Sequence, residues 1–61
     1  MIPDKIRPIL EALLGRNEAL LERWWLSPNK GFNDAIPEDV WEKNPKLVIR
    51  YLLQFCDYTA T

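Results

Sequence analysis

Trp24-Trp25-Leu26-Ser27-Pro28-Asn29, followed by Lys30-Gly31-Phe32-Asn33-Asp34 and then Ala35-Ile36-Pro37-Glu38-Asp39-Val40-Trp41, is the stretch that decides the fold. It sets an apolar helix end, a Pro-Asn turn, a Gly-containing loop and a proline-started helix in fixed order, which is a specified hinge between two helices. Pro28 keeps the first helix from running much past Ser27, because the residue before a proline is pushed out of the helical region. Pro37 suits the first position of the next helix, where its missing N–H removes no bond. Glu38 and Asp39 then fall in the electropositive first turn of a short helix carrying Val40 and Trp41. Ser, Pro, Asn, Gly and Asp fill the loop, each forming turns by a different mechanism. Phe32, the one large apolar residue among them, is expected to pin it.

Outward from the hinge, Asn17 is a good N-cap with Glu18 behind it, and Ala19, Leu20, Leu21 and Trp24 gather on one face of a helix over about 18–26. At about 100° per residue Trp24 lies between Leu20 and Leu21, whereas Trp25 falls beside Glu18 and Glu22. Trp24 is therefore expected in the core, its indole N–H needing an acceptor, and Trp25 at a rim that another chain can cover. Core packing stays open for Trp25 and Trp41 alike, since a small chain needs its aromatics inside. Ile6, Ile9, Leu10, Leu13 and Leu14 form a further helical stripe over about 4–14, ended by Gly15, with its regular start at either Pro3-Asp4 or Pro8. Asn44-Pro45 repeats the cap-and-proline signal and opens a last helix over about 45–57, after a third over 37–43. Nothing alternates with period two. The expected fold is all-α: a single domain over 1–61, a small bundle of about four short helices with no sheet.

The last helix has an unusual circumference. Leu47, Val48, Tyr51, Leu52, Phe55 and Tyr58 cover one arc, and Ile49, Leu53 and Cys56 a second, leaving Lys46, Arg50, Gln54 and Asp57 as a narrow polar strip. Three short partner helices can cover one arc, and the other then forms a patch that monomers seldom expose. At about 25 cal/mol per Å2, a few hundred Å2 of such surface holds several kcal/mol of unused driving force before the entropy of association is subtracted. A protein partner or a second copy of the chain is the simplest destination. Arg50 is placed to orient a carboxylate on that partner, with a local pair to Asp57 or solvent as the plainer alternative.

Composition excludes other classes. Sixty-one residues, 48% hydrophobic and 28% charged, make one folded domain near the lower size for a self-sufficient core. A net charge of -1, with acids and bases interleaved, lacks the basic footprint of a nucleic-acid binder. No leader pattern and no apolar run of membrane-spanning length occur, and one cysteine suits a reducing compartment, so a soluble cytoplasmic protein is expected. The chain has no histidine, which removes the commonest general base and metal ligand. Cys56 reads as a small packed apolar residue, and Glu38, Asp39 and Glu42 as solvated acids on a helix face rather than a metal cluster. Gly15 and Gly31 are isolated, each where a turn or helix end needs one, so no phosphate-cradling loop is present. No catalytic, metal or cofactor site is expected.

The order Trp24-Trp25, Pro28-Asn29, a loop closed by Phe32, and Pro37 opening the next helix resembles the toxin-binding domain of Xre/MbcA/ParS-type antitoxins, over about residues 18 to 55. In that comparison Trp24-Trp25 stands for a Trp-Leu pair. The resemblance implies a module that binds and occludes a RES-type toxin, an NAD-degrading protein. The last helix and the tail after it would approach the toxin's active-site mouth, with Arg50, Tyr51, Gln54, Phe55 and Tyr58 as contacts. The chain departs from the pattern at Asn33-Asp34, where a glycine-rich step is usual, and at Trp41, where an aliphatic residue is. The upstream helical DNA-binding or dimerising region common in the family is also missing, so a stand-alone toxin-binding module is expected. Taken together, the expected partner-binding residues are Trp25, Ile49, Arg50, Tyr51, Leu53, Gln54, Phe55 and Tyr58, and the structural motif is Trp24, Pro28, Asn29, Phe32 and Pro37. A phage or mobile-element inhibitor of another host protein would use the same docking helix. A structural or self-oligomerising module is the alternative.

Overall fold

Each turn of chain direction is set by a residue that stops one helix or starts another. The computed structural model describes residues 1–55, and residues 56–61 lie outside the described residues. Within that range the protein is all-helical: α1 (Arg7–Leu14), α2 (Glu18–Leu26), α3 (Pro37–Lys43) and α4 (Pro45–Gln54), with a 3-10 turn at Lys30–Phe32. No strand occurs among the described residues. An isolated bridge pairs Asn29 with Ala35 across the base of the hinge loop.

α1 begins at Arg7, later than the earlier of its two expected starts. The N–H groups of Ile6 and Arg7 both donate to the Pro3 carbonyl, at 3.2 and 3.1 Å, so residues 4–6 turn before the helix forms. Ile2, absent from the expected stripe, is nevertheless buried with Ile6 and Leu10 at four-residue spacing. Gly15 closes α1 at φ +90°, a conformation that favours glycine, and its N–H donates to the Glu11 carbonyl at 2.8 Å. Asn17 caps α2 as expected, its side-chain oxygen accepting from the Leu20 N–H at 3.2 Å. Asn44 is a different kind of cap. Its side chain makes no capping bond; its N–H donates to the Val40 carbonyl and its own carbonyl accepts from the Leu47 N–H. α4 ends at Gln54 with Phe55 as its C-cap, short of the expected end at 57, and residues 56 and 57 fall outside the described residues.

The two tryptophans exchange their expected places. Trp25 is 1% exposed and belongs to the core, while Trp24 is half-buried and Leu20 exposed. Leu20/Trp24 and Leu21/Trp25 are both i,i+4 pairs, so local pattern fits either face, and tertiary packing decides. The Trp25 ring meets Trp41 of α3 edge-to-face, centroids 6.4 Å apart at 64°, and Leu21 is buried with it. The rim role assigned to Trp25 is therefore corrected to a core role. Its Nε1–H, not that of Trp24, is the buried indole donor, and it has no hydrogen-bond partner among the described residues. Val48 and Leu52 of α4, Val40 and Pro37 of α3, and Phe32 of the loop complete the interior, with α4 packed against both α3 and α1.

Candidate functional site

Asn29 organises the loop that meets α4. Its N–H donates to the Ala35 carbonyl, its own carbonyl accepts from Phe32 and Asp34, and its Oδ1 accepts from the Gly31 N–H at 2.8 Å. The Tyr51 hydroxyl donates to the same Oδ1 at 3.3 Å, tying loop to helix. Asn33 and Asp34 follow at φ 61° and 67°. Asn and Asp tolerate that left-handed region better than other side chains, which explains why they serve where glycines are expected in such a loop. Gly31 is needed for another reason. A Cβ there would lie 2.6 Å from the Tyr51 Cζ, so the ring rests directly on the loop backbone. Phe32, buried as expected, lies 4.6 Å from the Tyr51 ring, and Phe55 meets the other side at 5.2 Å in an edge-to-face pair.

Two hollows adjoin at Tyr51. The first is a cleft of about 260 Å3 walled by Leu10, Leu13 and Leu14 of α1, Trp24 of α2, and Tyr51, Leu52 and Phe55 at the end of α4. Every wall residue is aliphatic or aromatic. The second, of about 310 Å3, is bounded by Gly31 and Phe32 of the loop and by Leu47, Arg50, Tyr51 and Gln54 of α4. Leu47, at the second hollow, is 46% exposed, Phe55, at the first, is 48% exposed, and Leu53, which lines neither, is 48% exposed. On a wheel at about 100° per residue, Leu47 and Leu53 stand about 60° to either side of Arg50, so the exposed edge of α4 reads apolar, cationic, apolar.

Of the residues expected to bind a partner, the structure brings Arg50, Tyr51, Gln54 and Phe55 around the two hollows. Leu53 is exposed but lines neither, Ile49 is half-buried against the core, Trp25 is interior, and Tyr58 lies outside the described residues. Leu13, Leu14 and Trp24 were not expected in this role. The signal for Leu13 and Leu14 was the second half of the α1 stripe, and for Trp24 its adjacency to Trp25, which leaves only one of the two room in the core.

Charge elsewhere serves the fold. Arg7 donates from both terminal nitrogens to the two Glu18 carboxylate oxygens at 2.8 and 2.9 Å, joining the starts of α1 and α2, with Glu11 3.9 Å from the same guanidinium. These hydrogen bonds hold the Glu18 carboxyl below its ordinary value against an opposing desolvation, and raise Arg7 correspondingly. The pair joins positions eleven apart, beyond the reach of any local charge pattern. No three metal-ligating side chains come together among the described residues, and no described helix is long and apolar enough to cross a membrane. Compared with known proteins, the chain shows no match to a family model, to a curated protein or to a solved structure.

Proposed function

We propose that this chain is a non-catalytic protein-docking module that occludes a partner through the exposed edge of α4 and the cleft beside it. One observation carries the reading: Leu47 and Leu53 on α4 and Phe55 at its C-terminal end are each about half exposed, and Phe55 also walls a largely apolar cleft. Surface of this kind is stabilised by covering it, and a rigid helix edge ringed by aromatic walls matches the anatomy of binding hot spots. Neutralisation of a RES-type toxin, as in the antitoxins that the hinge resembles, is the specific form proposed. The Asn29-centred turn and the left-handed Asn33-Asp34 step are consistent with the hinge that the resemblance requires. With Trp25 interior, the aromatic on the docking side is Trp24.

Affinity capture from the native host with wild type and Leu53→Asp tests the proposal. Loss of a specific partner by a variant whose circular dichroism is unchanged supports it, and equal recovery by both proteins overturns it. A second reading, self-association, is favoured by Leu20 and Leu26 of α2, also exposed at 41% and 49%. Light scattering that shows a closed oligomer at all concentrations, with no captured partner, would select it.

A further inference from the structure

The exposed edge of α4 has a sign as well as a shape. Pro45–Gln54 contains Lys46 and Arg50 and no acid, +2 in all, whereas Pro37–Lys43 contains Glu38, Asp39, Glu42 and Lys43, which is 1 − 3 = −2. The chain's near-neutral total therefore hides a cationic docking helix. Arg50 stands between half-exposed Leu47 and Leu53 and borders the hollow that Gln54 and Tyr51 share with the loop. On the far side of Tyr51 lies the apolar cleft, whose volume suits one bulky side chain. Resting on the docking reading above, we propose that the partner presents an acidic amphipathic segment: a carboxylate received by Arg50 and Gln54, apolar flanks against Leu47 and Leu53, and one large apolar side chain in the cleft beside Trp24. A guanidinium takes a carboxylate through paired N–H donors, and an apolar surround strengthens that bond by excluding water. A protein segment fits better than an anionic membrane. Two cations on the helix fall short of the basic clusters that hold a protein to lipid, and the cleft is a half-open hollow lined by three helices.

Selection of a random linear peptide library on the immobilised protein tests this. Enriched peptides are expected to combine Asp or Glu with a nearby Trp, Phe or Leu. Their affinity should fall about tenfold in Arg50→Glu and recover when the peptide's acid is changed to Lys. Arg50 is exposed, so this variant keeps the fold, which circular dichroism checks. Enriched peptides without an acid, peptides indifferent to Arg50→Glu, no enrichment, or binding to phosphatidylserine vesicles in place of peptides would each overturn the proposal. Acid-free peptides that still lose binding in Leu53→Asp would leave the docking reading intact. No enrichment, together with undiminished capture by Leu53→Asp, would remove both.

Discussion

Trp25 carries a buried donor that nothing accepts, and single substitutions there separate volume from polarity. Trp25→Phe removes the unpaired Nε1–H while keeping an aromatic ring against Trp41, so relief of a desolvated donor offsets part of the lost packing. Its unfolding free energy in urea is expected within about 1 kcal/mol of wild type, whereas Trp25→Ala should cost about 3–5 kcal/mol and leave the chain unfolded at ambient temperature. Gly31→Ala places a methyl group where the Tyr51 ring lies. The ring has to shift off Phe32 toward one of the hollows it walls, so a loss of about 1 kcal/mol is expected, with a changed near-ultraviolet dichroism of the tyrosine. At Glu18 the lowered folded-state pKa means that its stabilising contribution is present above the ordinary carboxylate range and disappears as pH falls through the lowered value. Thermal melts of wild type and Glu18→Gln should therefore differ at neutral pH and converge in strong acid. Added salt should narrow the same gap, because the pair is solvent-accessible.

Among the elements, proline and cap chemistry made most boundaries legible. Ser27 before Pro28, Ile36 before Pro37 and Asn44 before Pro45 all have non-helical backbone, and α2, α3 and α4 start where the sequence places them. What local pattern could not settle was rotation about the α2 axis. Two adjacent Leu-Trp pairs offer equivalent faces, and the choice rests on contact with Trp41, sixteen positions beyond Trp25, as 41 − 25 shows. The site was legible to a similar degree. Its α4 half follows from the wheel, but the α1 and α2 walls of the cleft depend on how three helices converge. The rotation yields a direct test. Leu21→Ala deletes a fully buried side chain and is expected to lose about 2–5 kcal/mol in chemical denaturation, while Leu20→Ala, on the exposed face, should stay within about 0.5 kcal/mol.

For the whole molecule, small size makes folding and the proposed docking role draw on the same side chains. A chain of 61 residues has few apolar groups to spare, yet two on α4, Phe55 just past it and two on α2 remain about half in water. Tyr51 is where the two demands meet. It closes the hinge through Asn29, rests on Gly31 and Phe32, and walls both hollows. Changes at that ring consequently disturb the hinge and the shape of both hollows at once. Under the proposed docking role, retargeting would have its open route through Leu47, Arg50, Leu53 and Gln54, exposed positions that can vary while the ring stays fixed.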